Sequence, residues 1–249
     1  MNNYINNYYN YKDSIVYDFK LGDGGIGDYV KFFMIILMDC IKYKKRLYHK
    51  INNIEIEKYI KFRYNFFNIN TDEISMLNNY VIKTPQNYYG NDKYRGDILL
   101  KEVFYFTDDI KLNVKHIITS KLDNYVSIHL RMGDKFLETD KKFVKCHWDT
   151  RSFSEDKIYN FIETNTDKTI LFFCDNNEKK NRIKKKYKNI IITNAEIGHT
   201  SLSNTTSRQI LDTVTEFYIL SNSEFIYSAS KSGFSELASK FNGIKLITT

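Results

Sequence analysis

Residues 125–134 read YVSIHLRMGD: a stretch that alternates towards a strand end, then Arg131, Gly133 and Asp134. Ligands of parallel α/β sheets sit outside the carboxyl ends of the strands. A guanidinium in that position can make a bidentate contact to phosphate. Gly133 lets backbone approach closely, and Asp134 either orients Arg131 or caps the next turn. His129 lies two residues before Arg131, on the same side of an extended strand. The competing reading is a surface Arg–Asp pair beside a core histidine.

The flanking pattern makes this strand part of an α/β layer. Ser154 is an N-cap in front of Glu155, Asp156 and Lys157. Thr169 to Cys174 is a continuous apolar run, as a buried parallel strand should be. A basic helix follows, then a strand over Asn189–Thr193, a helix over Thr206–Leu220 and a strand over Glu224–Tyr227. Ser232–Phe241 reads as a helix, Gly243 as its stop and Ile244–Ile247 as a last strand. Nearer the start, Ser14–Phe19 is a strand running into the turn Gly22-Asp23-Gly24-Gly25-Ile26-Gly27-Asp28. Val30, Phe33, Met34, Leu37, Met38 and Ile41 then recur at helical spacing. Between Arg46 and Phe106 the pattern is less clear, and Lys83–Asp97 reads as a loop. A domain boundary is expected near Thr107–Lys115, giving units 1–115 and 116–249.

Two further strand ends carry polar groups. Asp175, after the apolar strand, is placed to meet a ribose or base edge, or to cap the Lys-rich helix. Ser228 to Ser235 opens a helix with hydroxyls and Gly233, and a helix N-terminus is an anion site. Several chemistries are excluded. There is no Walker loop, no D-x-D pair, no zinc-protease histidine spacing and no G-x-S-x-G elbow. The three cysteines, Cys40, Cys146 and Cys174, have neither disulfide nor zinc spacing. The net charge of +7 reflects 37 basic against 30 acidic residues. Its densest run, Lys179–Lys188, has one Tyr and reads as a solvated helix face, so a nucleic-acid partner is not expected. The longest apolar run, Phe32–Met38, is too short to cross a bilayer, and the start lacks signal-peptide features. A cytoplasmic location is expected.

The order of these segments resembles the fucosyltransferase superfamily: the α-1,2-, α-1,6- and protein O-fucosyltransferases. His129-Leu130-Arg131-Met132-Gly133-Asp134 is similar to their first motif (H-x-R-x-G-D) and Phe172–Asp175 to the second. Glu224–Ser239 is similar to the third, and Gly24-Gly25-Ile26-Gly27-Asp28 to their N-terminal glycine turn. The resemblance implies a GT-B-like fold: two Rossmann-like parallel-sheet domains, the first facing the acceptor, with the donor site in the cleft. It implies an inverting, metal-independent glycosyltransferase that takes GDP-fucose as donor and a glycan or protein hydroxyl as acceptor. It puts Arg131 on the β-phosphate and His129 near the nucleotide, Asp175 and Glu216 near ribose or guanine, and Ser230 and Ser232 on phosphate. Gly24, Gly25, Gly27, Asp134 and Gly233 complete the expected donor site. For the acceptor's proton the candidate bases are Asp28, Glu138 and Asp140, with Asp28 first. The sequence departs from the family at Met132, where a second arginine is common, and at Asp28, where Asn is usual. Gly27-Asp28 and Ser232–Ala238 also look like heptosyltransferases, which use an ADP-linked sugar. A non-catalytic nucleotide- or carbohydrate-binding protein is the remaining alternative.

Overall fold

A computed structural model describes residues 1–90, 94–118, 123–144 and 146–249. Positions 91–93 of the loop expected over Lys83–Asp97 lie outside the described residues. The chain divides into two compact units, Met1–Tyr105 and Phe106–Thr249.

The first unit contains helices α1 (Asn2–Asn6), α2 (Ile26–Tyr43), α3 (Ile56–Tyr59) and α4 (Thr71–Ile74). Its strands are β1 (Ser14–Tyr17), β2 (Arg46–Lys50), β3 (Ile60–Phe62), β4 (Asn68–Ile69) and β5 (Tyr80–Lys83), and β6 (Phe104–Phe106) spans the boundary between the units. Four strands form a parallel sheet in the order β4-β2-β1-β5. The chain builds outward from β1 through β2 to β4, then returns to the other side of β1 with β5. The glycine turn leaves the carboxyl end of β1 at that reversal. It meets the segment after β5, where Gln86 Nε2 donates to Asp23 Oδ1 at 3.0 Å and the Tyr89 hydroxyl to the Asp23 carbonyl at 2.8 Å. Helix α2 is buried along most of its faces, as its apolar density predicts.

The second unit contains α5 (Asp108–Ile117), α6 (Glu155–Glu163), α7 (Asn177–Lys186), α8 (Ser207–Ser221) and α9 (Gly233–Asn242). Its strands are β7 (Tyr125–Leu130), β8 (Thr169–Cys174), β9 (Ile190–Ile192), β10 (Phe225–Ser228) and β11 (Lys245–Thr248). They form one parallel sheet in the order β11-β10-β7-β8-β9. The sheet therefore starts at its centre, grows to β9, and resumes on the other side of β7. Alternation sorts β7 between two helical layers. Val126, Ile128 and Leu130 pack with Ile158 and Ile162 of α6 and Ile183 of α7. On the other face the Tyr125 hydroxyl donates to the Ile219 carbonyl of α8, and His129 meets Phe234 of α9. All six residues of β7 are buried, Ser127 and His129 included, so the alternation in sequence separates two covered faces.

Local capping fixes the helix starts. Ser154 accepts from Lys157 N, Asn176 from Lys179 N and Thr206 from Gln209 N. Gly243, at φ 73°, ends α9 in the left-handed region. Two expectations change. The segment proposed as a domain boundary is helix α5, which packs on α8 through Asn113 Nδ2, bonded to Asp212 Oδ1 at 2.8 Å and Thr215 Oγ1 at 3.0 Å. Helix α7 is not solvated all round: Lys179 and Lys180 are buried, Lys180 to 1% exposure, because their amines reach carboxylates. Among the described residues no helix is long and apolar enough to cross a membrane.

Phe172 sits fully buried in mid-β8. Phe172→Ala should lower the unfolding free energy by about 3–5 kcal/mol in urea titration, with the m-value unchanged. A loss under about 1 kcal/mol would place this ring outside the core.

Candidate functional site

The reversal of strand order between β7 and β10 is where a doubly wound sheet opens a crevice. The segments leaving these two strands are joined by a single side chain. Ser230, 2% exposed, accepts from Arg131 N at 2.9 Å and donates to the Arg131 carbonyl at 2.8 Å. Behind it Ser228 Oγ donates to the Ser230 carbonyl and lies 2.7 Å from Ser235 Oγ. Most of the serine-rich stretch therefore serves to hold the backbone of Arg131.

Asp175, at the end of β8, holds the loop from the opposite side. Its Oδ1 accepts from Met132 N at 2.7 Å, and its Oδ2 accepts from Gly133 N at 3.1 Å and from Arg131 Nη1 at 2.8 Å. Arg131 Nη2 donates to Asp134 Oδ1. The guanidinium is thus gripped by two carboxylates, with 18% of its side chain exposed. Such an arrangement fixes a planar fork of donors.

Gly133 is required twice over. Its φ is 110°, and a Cβ there would lie 2.5 Å from the Asp149 carbonyl oxygen. The close approach anticipated at this glycine is made by the chain itself: Lys135 N donates to the Asp149 carbonyl at 3.1 Å and Arg151 N to the Met132 carbonyl at 2.9 Å. The Asp149–Arg151 segment was not legible as part of the site. Its role depends on backbone contacts, which leave no residue signature.

His129 is 7% exposed and stacks on Phe234, with centroids 5.2 Å apart and planes at 21°. Burial, and then the neighbouring Arg131 charge, push its pKa down from 6.5 to about 3. Its Nδ1 is buried without a hydrogen-bond partner. The ring is therefore neutral, beside the start of α9. Ser232 caps that helix by accepting from Phe234 N at 3.3 Å, and Gly233 is exposed, with open space where a Cβ would stand.

The structure brings together Arg131, Asp134, Asp175 and Ser230, with His129, Ser232 and Gly233 linked through Phe234. It gives other expected residues different partners. Glu216 bonds Thr193 Oγ1 and pairs at 3.5 Å with the buried amine of Lys180. Glu138 accepts from Asn177 N at 2.8 Å and Asn177 Nδ2 at 3.0 Å, so both its oxygens serve the start of α7. Asp140 caps the turn at 141–143 through Lys142 N. In the first unit Asp28 accepts from Gly25 N at 3.3 Å and pairs with Lys31 at 3.0 Å. Gly24, at φ 147°, leaves space that a Cβ would take from the Asp28 carboxylate, 2.5 Å away. Gly25 is the N-cap of α2, and Gly27 lies in its first turn. Among the described residues no group of three His, Cys, Asp or Glu side chains is arranged to hold a metal.

Solved structures share this fold at low identity. A mutant of Arabidopsis thaliana FUT1 in complex with GDP aligns with a TM-score of 0.57 at 11% identity, over 95% of this chain and 70% of that one. The fucosyltransferase NodZ from Bradyrhizobium aligns at 0.57 and 9% identity, covering 91% and 93%. POFUT1 in complex with GDP-fucose aligns at 0.52 and 11%, covering 95% and 97%. No family model matches the chain, and no curated protein matches it by sequence. The fold is α/β with parallel sheets, in agreement with the GT-B-like expectation.

Gly133→Ala should strain the loop and cost about 1–3 kcal/mol or more, seen as a lower Tm; an unchanged Tm would refute the close approach. His129 gives a second test. Its folded pKa lies below its unfolded value, so between about pH 6.5 and 3 the unfolded chain binds more protons and stability falls as pH falls. His129→Phe should lose less stability than wild type between pH 6.5 and 4, and parallel curves would show that the ring does not titrate on unfolding.

Proposed function

We propose that this protein is a glycosyltransferase that transfers fucose from GDP-fucose to a hydroxyl of a glycan or protein, with inversion and without a metal. The observation that carries the reading is Arg131, held at the carboxyl end of the central strand beside the reversal of strand order. The likeness in fold to proteins described with GDP and GDP-fucose supports guanine over other bases. In this account the second unit binds the nucleotide and the first meets the acceptor.

The proposed chemistry follows from charge. The acceptor oxygen attacks the anomeric carbon, the bond from that carbon to the diphosphate breaks, and GDP leaves with added negative charge. Arg131 exchanges its carboxylate partners for the diphosphate and stabilises that charge. The N–H groups opening α9, with Ser232 and the open space at Gly233, offer further anion contacts. Asp175 and Ser230 keep the backbone of the Arg131 loop fixed during this exchange. His129, neutral and buried, supplies an uncharged edge for the nucleotide. Asp28 remains the proposed base for the acceptor proton, with about a third of its side chain exposed and its oxygens on Gly25 N and Lys31.

Arg131→Ala is expected to abolish turnover of GDP-fucose, by roughly 100-fold or more, while far-UV circular dichroism stays native. Wild-type turnover in that variant would overturn the proposal. GDP should raise the Tm more than ADP or UDP at equal concentration. A larger shift with ADP would favour the heptosyltransferase-like alternative.

A further inference from the structure

The chain has one tryptophan, Trp148, and it stands at the surface with 67% exposure. Tryptophan is on average a well-covered residue, because its ring carries so much apolar area. Here it is held out from a fixed base. Asp149 N donates to the Cys146 carbonyl at 2.8 Å, closing the turn that carries Trp148. The Asp149 carbonyl accepts from Lys135 N at 3.1 Å, and Arg151 N donates to the Met132 carbonyl at 2.9 Å. The backbone after Trp148 is thus bonded to the loop that carries Arg131 and Gly133. Leu137 and Val144, both buried, anchor the two segments. Phe136, 37% exposed, follows Lys135 on the facing segment. The His147 ring packs against the indole at 82°, with centroids 4.9 Å apart.

We infer that Trp148 is a stacking platform for one sugar ring of the acceptor, so that the acceptor is a glycan. The inference rests on the donor reading above, because the Arg131 loop is what places the platform beside the reaction. A flat apolar ring open to water matches the C–H face of a pyranose, whose hydroxyls point outward at its rim. Asp149 and Arg151, paired at 3.1 Å and partly exposed, put an acceptor and several donors next to that rim. A nucleotide is instead enclosed, with roughly 70–90% of its surface buried, and a ring this open does not enclose a base. A peptide is read through a strand edge or a groove, whereas Trp148 sits on a turn. A glycan stacked here is held by the second unit, in addition to the contacts proposed for the first.

The single tryptophan makes the test direct, because emission excited beyond the tyrosine band comes from Trp148 alone. The full chain with GDP bound is titrated with neutral oligosaccharides (cellotetraose, chitotetraose, maltotetraose and N-acetyllactosamine) and with Ser/Thr-rich peptides. At least one oligosaccharide should shift the emission saturably, with a Kd of roughly 1 mM, and the peptides should not. For that glycan Trp148→Ala should raise the acceptor KM at least about tenfold, and Trp148→Phe should recover most of the loss. The affinity for GDP should stay at the wild-type value in both variants. No shift with any of the oligosaccharides up to about 20 mM, an unchanged acceptor KM in Trp148→Ala, or a shift with peptides alone would each overturn the inference. An emission shift on GDP alone, together with at least about tenfold weaker GDP binding in Trp148→Ala, would make the ring a platform for the base and overturn it too. A wild-type chain that binds no GDP would instead overturn the donor reading, and the acceptor role with it.

Discussion

The carboxylate of Asp175 is the contact on which the second unit's site depends. It receives two successive backbone N–H groups, from Met132 and Gly133, together with one arm of Arg131. Without it, those donors would lie unpaired at a strand end and the loop would lose its path. With it, the chain after β7 is drawn towards β8. Ser230 secures the same residue from the β10 side, through both the N–H and the carbonyl of Arg131. Both the backbone and the guanidinium of Arg131 are thereby held in place.

The same contacts redefine the serines and glycines of the site. A serine-rich loop before a helix suggests phosphate contacts, yet Ser228, Ser230 and Ser235 are buried and bonded within the protein. The groups still open to a ligand are Ser232, Gly233 and the first N–H groups of α9. Gly133 likewise admits the chain's own Asp149 backbone. Rigidity around Arg131 and access beside it come from neighbouring residues of one short segment.

The second sheet was legible in the sequence because its strands are buried on both faces. Thr169–Cys174 leaves a continuous apolar run and Tyr125–Leu130 an alternating one, and the intervening helices carry side-chain caps. Much of the first sheet was not, because β3 and β4 span only three and two residues and lie among Asn, Lys and Tyr. Site reading followed the same division. Arg131 and Asp134 are close in sequence, and their bond is one of the two readings the sequence left open. Asp175, 44 residues from Arg131, could be placed at a strand end but not assigned its partners. Glu138 and Glu216 were read by acidity alone, and their partners, Asn177, Lys180 and Thr193, come from distant elements.

The central claim is that Arg131 exchanges two carboxylates for a diphosphate. Calorimetric affinities of GDP and guanosine for the wild-type chain test it most directly, because the two ligands differ only in the group Arg131 would grip. The account predicts that GDP binds at least about tenfold more tightly, with an advantage that shrinks as salt rises. Equal affinity for GDP and guanosine would contradict it.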